Sequence, residues 1–201
     1  MISCDAMFRT TAWTMIGSAG AGDRAALETF AERYRPAVVA FLRGRGFRDA
    51  EAEDICHDAF VRVLAGGVLA RADRAKGRFR SLLLAVVVHV IQDRGRKRKV
   101  GPIPEDAPPP ASVERDESFD RAWVLHLAER AMARLREDGS PYYAVLRDHL
   151  KGDRQDRNKV WIARKKLIAL IREEIAFTCR SQEEFEEEAS YLGTFLRPGK
   201  Q

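Results

Sequence analysis

Five small or polar side chains recur within the segment Phe79–Lys97 at a spacing that would let them contact an anionic polymer. They lie three or four residues apart and would share one edge of a helix: Ser81, Ala85, His89, Gln92 and Arg96. Large apolar side chains occupy most other positions, which predicts a mostly buried helix with one open edge. Because short polar side chains can hydrogen-bond base edges and cations can bind phosphates, this pattern is compatible with nucleic-acid contact.

Basic residues flank this helix on both sides. Between positions 71 and 99 they are Arg71, Arg74, Lys76, Arg78, Arg80, Arg94, Arg96, Lys97, Arg98 and Lys99, opposed only by Asp73 and Asp93, and the whole chain has a net charge of +5. Such a patch attracts polyanions. A structural explanation stays open at this point, since a solvated helix C-terminus also favours cations and a single histidine is often part of a core.

No segment is long enough to span a membrane. The longest apolar run, Leu82–Val88, has about seven residues, whereas a bilayer needs roughly 20. Neither early positive charge nor an uninterrupted apolar core marks the N-terminus as a secretory signal, so we expect a cytoplasmic protein.

Cys4, Cys56 and Cys179 are far apart in the sequence, which suits a reducing compartment and argues against a disulfide or a cysteine zinc site.

The three-to-four residue period of the apolar side chains predicts an all-α protein with two small helical domains. Residues 101–118 contain five prolines and no apolar period, which indicates a linker. The predicted domains are therefore residues 8–100 and 119–201.

In the first domain, Asp23 is a plausible N-cap of a helix pair that Pro36 interrupts. The next helix places four charged side chains together on its outward side: Glu51, Asp54, Asp58 and Arg62.

The second domain contains a basic amphipathic helix beginning near Arg157. Four of its side chains lie opposite its apolar face: Asn158, Trp161, Lys165 and Arg172. An acidic segment follows, with an apolar stripe of Phe185, Ala189, Leu192 and Leu196. This tail either packs on its own domain or covers a basic DNA-facing surface.

Two stretches resemble bacterial sigma factors of the extracytoplasmic-function (ECF) group. The sequence AEDICHDAFVRVL, residues 52–64, is similar to the family signature A-E-D-L-x-Q-E-x-F-x-R-V. The sequence GRFRSLLLAVVVHVIQDRGRKRK, residues 77–99, is similar to the signature that follows it, F-R-x-W-L-x-x-I-A-R-N-x-x-x-D-x-x-R-R. The similarity covers most of residues 10–100 and extends more weakly through 119–196.

The resemblance implies a protein without a cofactor that binds core RNA polymerase and promoter DNA. The acidic side, Glu51, Asp54, Asp58 and Arg62, would face the polymerase. The next helix would open the −10 element, with His89 at the DNA edge among Ser81, Ala85 and Gln92, and with Arg78, Arg80, Arg94 and Arg96 on phosphates. The second domain would read the −35 element through Asn158, Trp161, Lys165 and Arg172. An anti-sigma factor restrains many members, and a tail extension takes that role in some subgroups.

The chain departs from the family pattern at several positions. Leu82 and Val88 stand where many members have tryptophan and arginine, and His57 replaces a glutamine. The polar sequence GDRQDR is too short to supply the usual extra helix before the recognition helix. Either residues 142–150 take over the positioning role, or reading of the upstream element is weakened or lost.

Two other functions compete with an initiating sigma factor. One is a degenerate sigma-like protein that holds polymerase without reading promoters, and the other is a helical adaptor for acidic partners. An enzyme is the least favoured class, because the histidines and cysteines have no metal-ligand spacing and no nucleophile motif is present. Cys56 and His57 are neighbours, but adjacent helical residues point apart, so we expect a buried Cys56 and an exposed His57.

Overall fold

The computed structural model of the protein describes residues 12–20, 23–64, 79–97 and 116–196. Every regular element in these ranges is an α-helix, which confirms the predicted fold class. The helices are α1 Ala12–Gly20, α2 Arg24–Gly44, α3 Asp49–Leu64, α4 Phe79–Lys97, α5 Glu117–Glu137, α6 Pro141–Leu150, α7 Arg157–Thr178 and α8 Gln182–Gly193. None of these helices is long and apolar enough to cross a membrane.

The chain divides into two compact units, and the division falls between Trp123 and Val124, inside α5. Residues 119–123, which the sequence assigned to the second domain, therefore belong to the first unit. Aromatic burial explains this, because Phe119 and Trp123 lie in the aromatic core of that unit. Most of the predicted linker lies outside the described residues.

Helix α2 begins at the predicted cap: the Asp23 carboxylate accepts hydrogen bonds from the backbone N–H groups of Ala25 and Ala26. The predicted interruption at Pro36 is wrong, because α2 runs continuously through it to Gly44. The proline removes one intrahelical hydrogen bond. Burial of apolar side chains both before and after it, such as Phe30 and Leu42, offsets that loss.

An aromatic cluster joins α2 to α4 and to the start of α5. The Tyr34 ring stacks on Trp123 with a centroid distance of 5.5 Å and an interplanar angle of 9°. Phe79, the first residue of α4, lies 4.7 Å from the Tyr34 ring centre. Phe41 meets Phe119 edge to face at 5.1 Å. These rings fix the N-terminal end of α4 in the core, which positions the polar edge that follows along the same helix.

In the second unit, α6 and α7 pack around the buried side chains of Leu135, Leu146 and Ala163. The connection from Lys151 to Asp156 reverses the chain through Gly152, whose φ of +90° favours glycine. Asp156 then caps α7 by accepting from the Lys159 N–H. Two helices joined in this way can hold one exposed helix face in a fixed orientation.

Helix α8 packs against α7, with Phe185 and Leu192 buried. The apolar stripe predicted for the tail is thus confirmed at these two residues, whereas Leu196 remains 38% exposed. The guanidinium of Arg172 lies over the Phe185 ring at 4.7 Å from its centroid. The tail therefore packs on its own unit.

Candidate nucleic-acid interface

Helix α4 has the bounds and the exposure pattern that its sequence predicted. Phe79, Leu83, Val86, Val87 and Val90 are buried. Along the polar edge, Gln92 and Arg96 are exposed, and three further side chains are partly exposed: Ser81, Ala85 and His89. All five residues of the predicted edge are therefore at least partly exposed, and contact of this edge with DNA stays a prediction.

Asp93 lies at the centre of an ion-pair network beside this edge. Its carboxylate oxygens lie 2.6 Å from Arg62 Nη1, 2.8 Å from Arg96 Nη2 and 3.2 Å from His89 Nε2. Only 9% of the Asp93 side chain is exposed. Burial alone would raise the pKa of this carboxyl, but hydrogen bonds from Arg62 and Arg96 and the nearby His89 outweigh it and leave the pKa below its ordinary value.

A second ion pair joins α3 to α4 at a more open position. The Asp58 Oδ2 atom accepts hydrogen bonds from Arg94 Nη2 at 2.6 Å and from Arg94 Nε at 3.1 Å. The Asp58 side chain is 47% exposed, and the Arg94 side chain is 32% exposed. A predicted polymerase contact and a predicted phosphate contact are thus paired with each other within the chain.

Arg80 does not lie on the predicted positive surface. Its side chain is 1% exposed and forms an ion pair with Asp120, which is fully buried. The reason is its position one residue after Phe79, where α4 enters the aromatic core of the first unit. An arginine enclosed in this way cannot meet a phosphate in this conformation. Arg78 lies outside the described residues.

On the acidic side of α3, Asp54 is exposed, while Glu51 and Asp58 are partly exposed. Arg62 turns toward α4 and pairs with Asp93. Val61, half exposed, adds an apolar side chain to the same surface. This surface combines negative charge with one apolar contact, which would suit a basic protein partner.

Cys56 and His57 have the environments predicted for them. Cys56 is buried and His57 is exposed. Burial, followed by the nearby Glu53 charge, raises the pKa of the Cys56 thiol to about 12. A thiol that stays protonated at neutral pH is a poor nucleophile. No group of histidine, cysteine and acidic residues within the described ranges could hold a metal ion.

In the second unit, Asn158, Trp161 and Lys165 lie on the exposed face of α7. The Lys165 Nζ atom is 3.9 Å from the centroid of the Trp161 ring, which is itself 55% exposed. Arg172 is also exposed but is engaged with the ring of Phe185. The structure thus leaves the first three side chains accessible on one face and directs Arg172 toward the tail.

Sequence reasoning missed the roles of Asp93 and Asp120. Asp93 stands four residues after His89 and three before Arg96, a spacing that places the three on one helix side, so a local signal was available. Asp120 gave no such signal, because it lies 40 residues from Arg80, beyond the proline-rich segment.

Comparison with known families assigns this region. The family model Sigma-70 region 2 matches residues 30–100, about a third of the chain. No curated protein matches the chain, and no solved structure matches it. The matched segment includes α3, α4 and most of α2. Residues 30–100 thus form a Sigma-70 region 2 domain, a domain found in sigma factors.

Proposed function

We propose that the protein is an ECF-type sigma factor that acts in the cytoplasm, binds core RNA polymerase and directs promoter-specific initiation by recognising the −10 element. The Sigma-70 region 2 match carries this proposal, because it falls on the two helices that present the acidic side and the polar edge. The charge distribution supports it as well, since α3 exposes the Asp54 carboxylate and the C-terminal part of α4 carries the exposed Arg96 and the partly exposed Arg94.

The two surfaces have different roles in this proposal. Asp54 and Glu51 on α3 bind a basic surface of the polymerase, with Asp58 beside them. The edge of α4 contacts DNA, with Gln92 and His89 near the bases and Arg96 near phosphates. His89 stands where the family has an asparagine, and Asp93 holds its Nε2 atom. The initiating role needs no catalytic group from this chain.

The second unit contributes upstream-element reading through α7. Helix α6 takes the positioning role that a further helix plays in other family members, because it packs directly on α7 around Leu146 and Ala163. Asn158, Trp161 and Lys165 form the reading face. A helix presented by a packed neighbour is the arrangement by which helix-turn-helix proteins enter the major groove.

The experiment is transcription by holoenzyme reconstituted from core polymerase and the full chain, on genomic fragments that the holoenzyme selects. Asp54→Ala should weaken core binding, whereas Glu32→Ala, a matched loss of an exposed acidic side chain on α2, should not. Gln92→Ala should lower initiation while core binding is retained. Tight core binding without initiation on any fragment would contradict the initiating role.

A degenerate sigma factor that binds polymerase without reading the upstream element is the second candidate. The engagement of Arg172 with Phe185 favours it, because this removes one cation from the predicted reading face. Lys165→Ala distinguishes the two: a reader loses dependence on the upstream element, and a degenerate protein does not. Lys166→Ala, at the next exposed position of the same helix, is the matched control.

A further inference from the structure

Among the described residues, two ion-pair clusters connect α3 to α4, and their carboxylates differ in their access to solvent. Asp93 is 9% exposed and is held by Arg62, Arg96 and His89 together. Asp58 is 47% exposed and pairs with Arg94. In the first cluster the Asp93 carboxylate is nearly buried and has three partners, whereas in the second the Asp58 carboxylate is open to a charge from outside the chain.

The open pair joins residues that the proposed function assigns to different partners. Asp58 lies on the helix whose acidic side would meet a cationic protein surface, and Arg94 lies on the helix whose edge would meet phosphates. Because the two charges neutralise each other in the free chain, neither is fully available to its own partner.

We propose that the Asp58–Arg94 ion pair is exchangeable and couples the two binding events. A cationic side chain of the protein partner takes over Asp58, and Arg94 is thereby released to a DNA phosphate. This rests on the proposed function and adds to it the prediction that DNA binding is weaker in the free chain than in the complex. A partly exposed ion pair of this kind is weak, so its exchange should change an equilibrium constant by only about two- to five-fold.

Coupling of this kind is reciprocal. If occupation of Asp58 strengthens DNA binding through Arg94, then occupation of Arg94 must strengthen partner binding through Asp58 by the same factor. Each half of the pair can therefore be tested separately with the full chain.

The DNA half uses Asp58→Asn and the matched control Asp54→Asn. Both variants remove one negative charge from α3, but only the first releases Arg94. Binding of a fluorescent duplex is measured by anisotropy across a salt series. We expect Asp58→Asn to bind about two- to five-fold more tightly than Asp54→Asn. Its slope of log affinity against log salt should be steeper by about 0.9, the value for one added phosphate contact.

In an Arg94→Gln background this advantage of Asp58→Asn should disappear, because no arginine remains to be released.

The partner half measures binding to core polymerase. Arg94→Gln, which frees Asp58, should bind polymerase about two- to five-fold more tightly than Arg48→Gln. Arg48→Gln is the matched control because it also removes one exposed or partly exposed arginine. The polymerase-binding experiment tests the proposal even if no variant of the free chain binds duplex DNA measurably.

Equal DNA affinity and slope for Asp58→Asn and Asp54→Asn would overturn the exchange, and so would equal polymerase affinity for the two arginine variants. Both results leave the proposed function standing if the wild-type chain still binds polymerase. Failure of every variant to bind polymerase would instead reject the proposed function itself.

Discussion

At the scale of single residues, the surroundings of a charged side chain decide its role. Arg80 and Arg94 both lie on α4 among the arginines predicted to bind phosphates, yet one is enclosed with Asp120 and the other is half open with Asp58. A charge removed from water costs several kcal/mol unless a partner compensates it. The Arg80–Asp120 pair therefore belongs to the core of the first unit, and Arg94 remains a candidate for binding.

Replacing Asp120 by asparagine should destabilise the first unit strongly, because the buried Arg80 charge would lose its carboxylate partner. We expect a loss of about 3–5 kcal/mol in the free energy of unfolding, measured by chemical denaturation followed by tryptophan fluorescence. Arg45→Gln, which breaks the more exposed pair with Asp116, should cost about 1 kcal/mol or less. The double variant Arg80→Met, Asp120→Leu should recover most of the loss; similar costs for Asp120→Asn and Arg45→Gln would contradict this account.

Asp93 should make stability depend on pH in the acidic range. Its pKa is lower in the folded chain than the ordinary 3.8, so it contributes stability above the unfolded pKa and loses that contribution as the pH falls through the folded pKa. The free energy of unfolding should therefore decrease below about pH 4, with a shallower decrease in Asp93→Asn. Asp116, whose pKa is also lowered, should cause part of the decrease that remains in Asp93→Asn. If the free energy of unfolding decreased by the same amount in the wild-type chain and in Asp93→Asn, Asp93 would make no such contribution.

At the scale of helices, periodicity predicted α4 well because one side of the helix is buried and the other is open. Leu83, Val87 and Val90 recur at a helical spacing on the buried side, and Ala85, His89 and Gln92 recur on the open side, so the local sequence is enough to predict both sides. Pro36 misled the prediction for α2, because tertiary burial outweighed a local helix-breaking preference.

The tail helix α8 gives a prediction at this scale. Phe185 is buried against α7 and lies under the Arg172 guanidinium, so Phe185→Ala should lower the free energy of unfolding of the second unit by about 3 kcal/mol. Ser190→Ala, on the exposed side of the same helix, should change it by no more than about 0.5 kcal/mol. Thermal denaturation by circular dichroism measures both. An equal effect of the two variants would mean that α8 does not depend on this packing.

At the scale of the whole molecule, sequence reasoning identified an all-α chain and the helices of its candidate site, but it had no access to contacts between distant segments. Residues 119–123 pack in the first unit through Phe119, Asp120 and Trp123, although they follow the proline-rich segment. Their partners, such as Tyr34 and Arg80, are tens of residues away, and periodicity carries no information on such pairs. The family match ends at residue 100, so it includes Tyr34 and Arg80 but not residues 119–123.

The most direct test of the central claim is recovery of core RNA polymerase with the tagged full chain, followed by sequencing of the DNA that the assembled complex binds. The account predicts that polymerase subunits co-purify and that the bound fragments share a common −10 sequence. It also predicts that Gln92→Ala retains the polymerase but loses enrichment of that sequence. Absence of polymerase from the recovered complex, or bound DNA without any shared element, would contradict it.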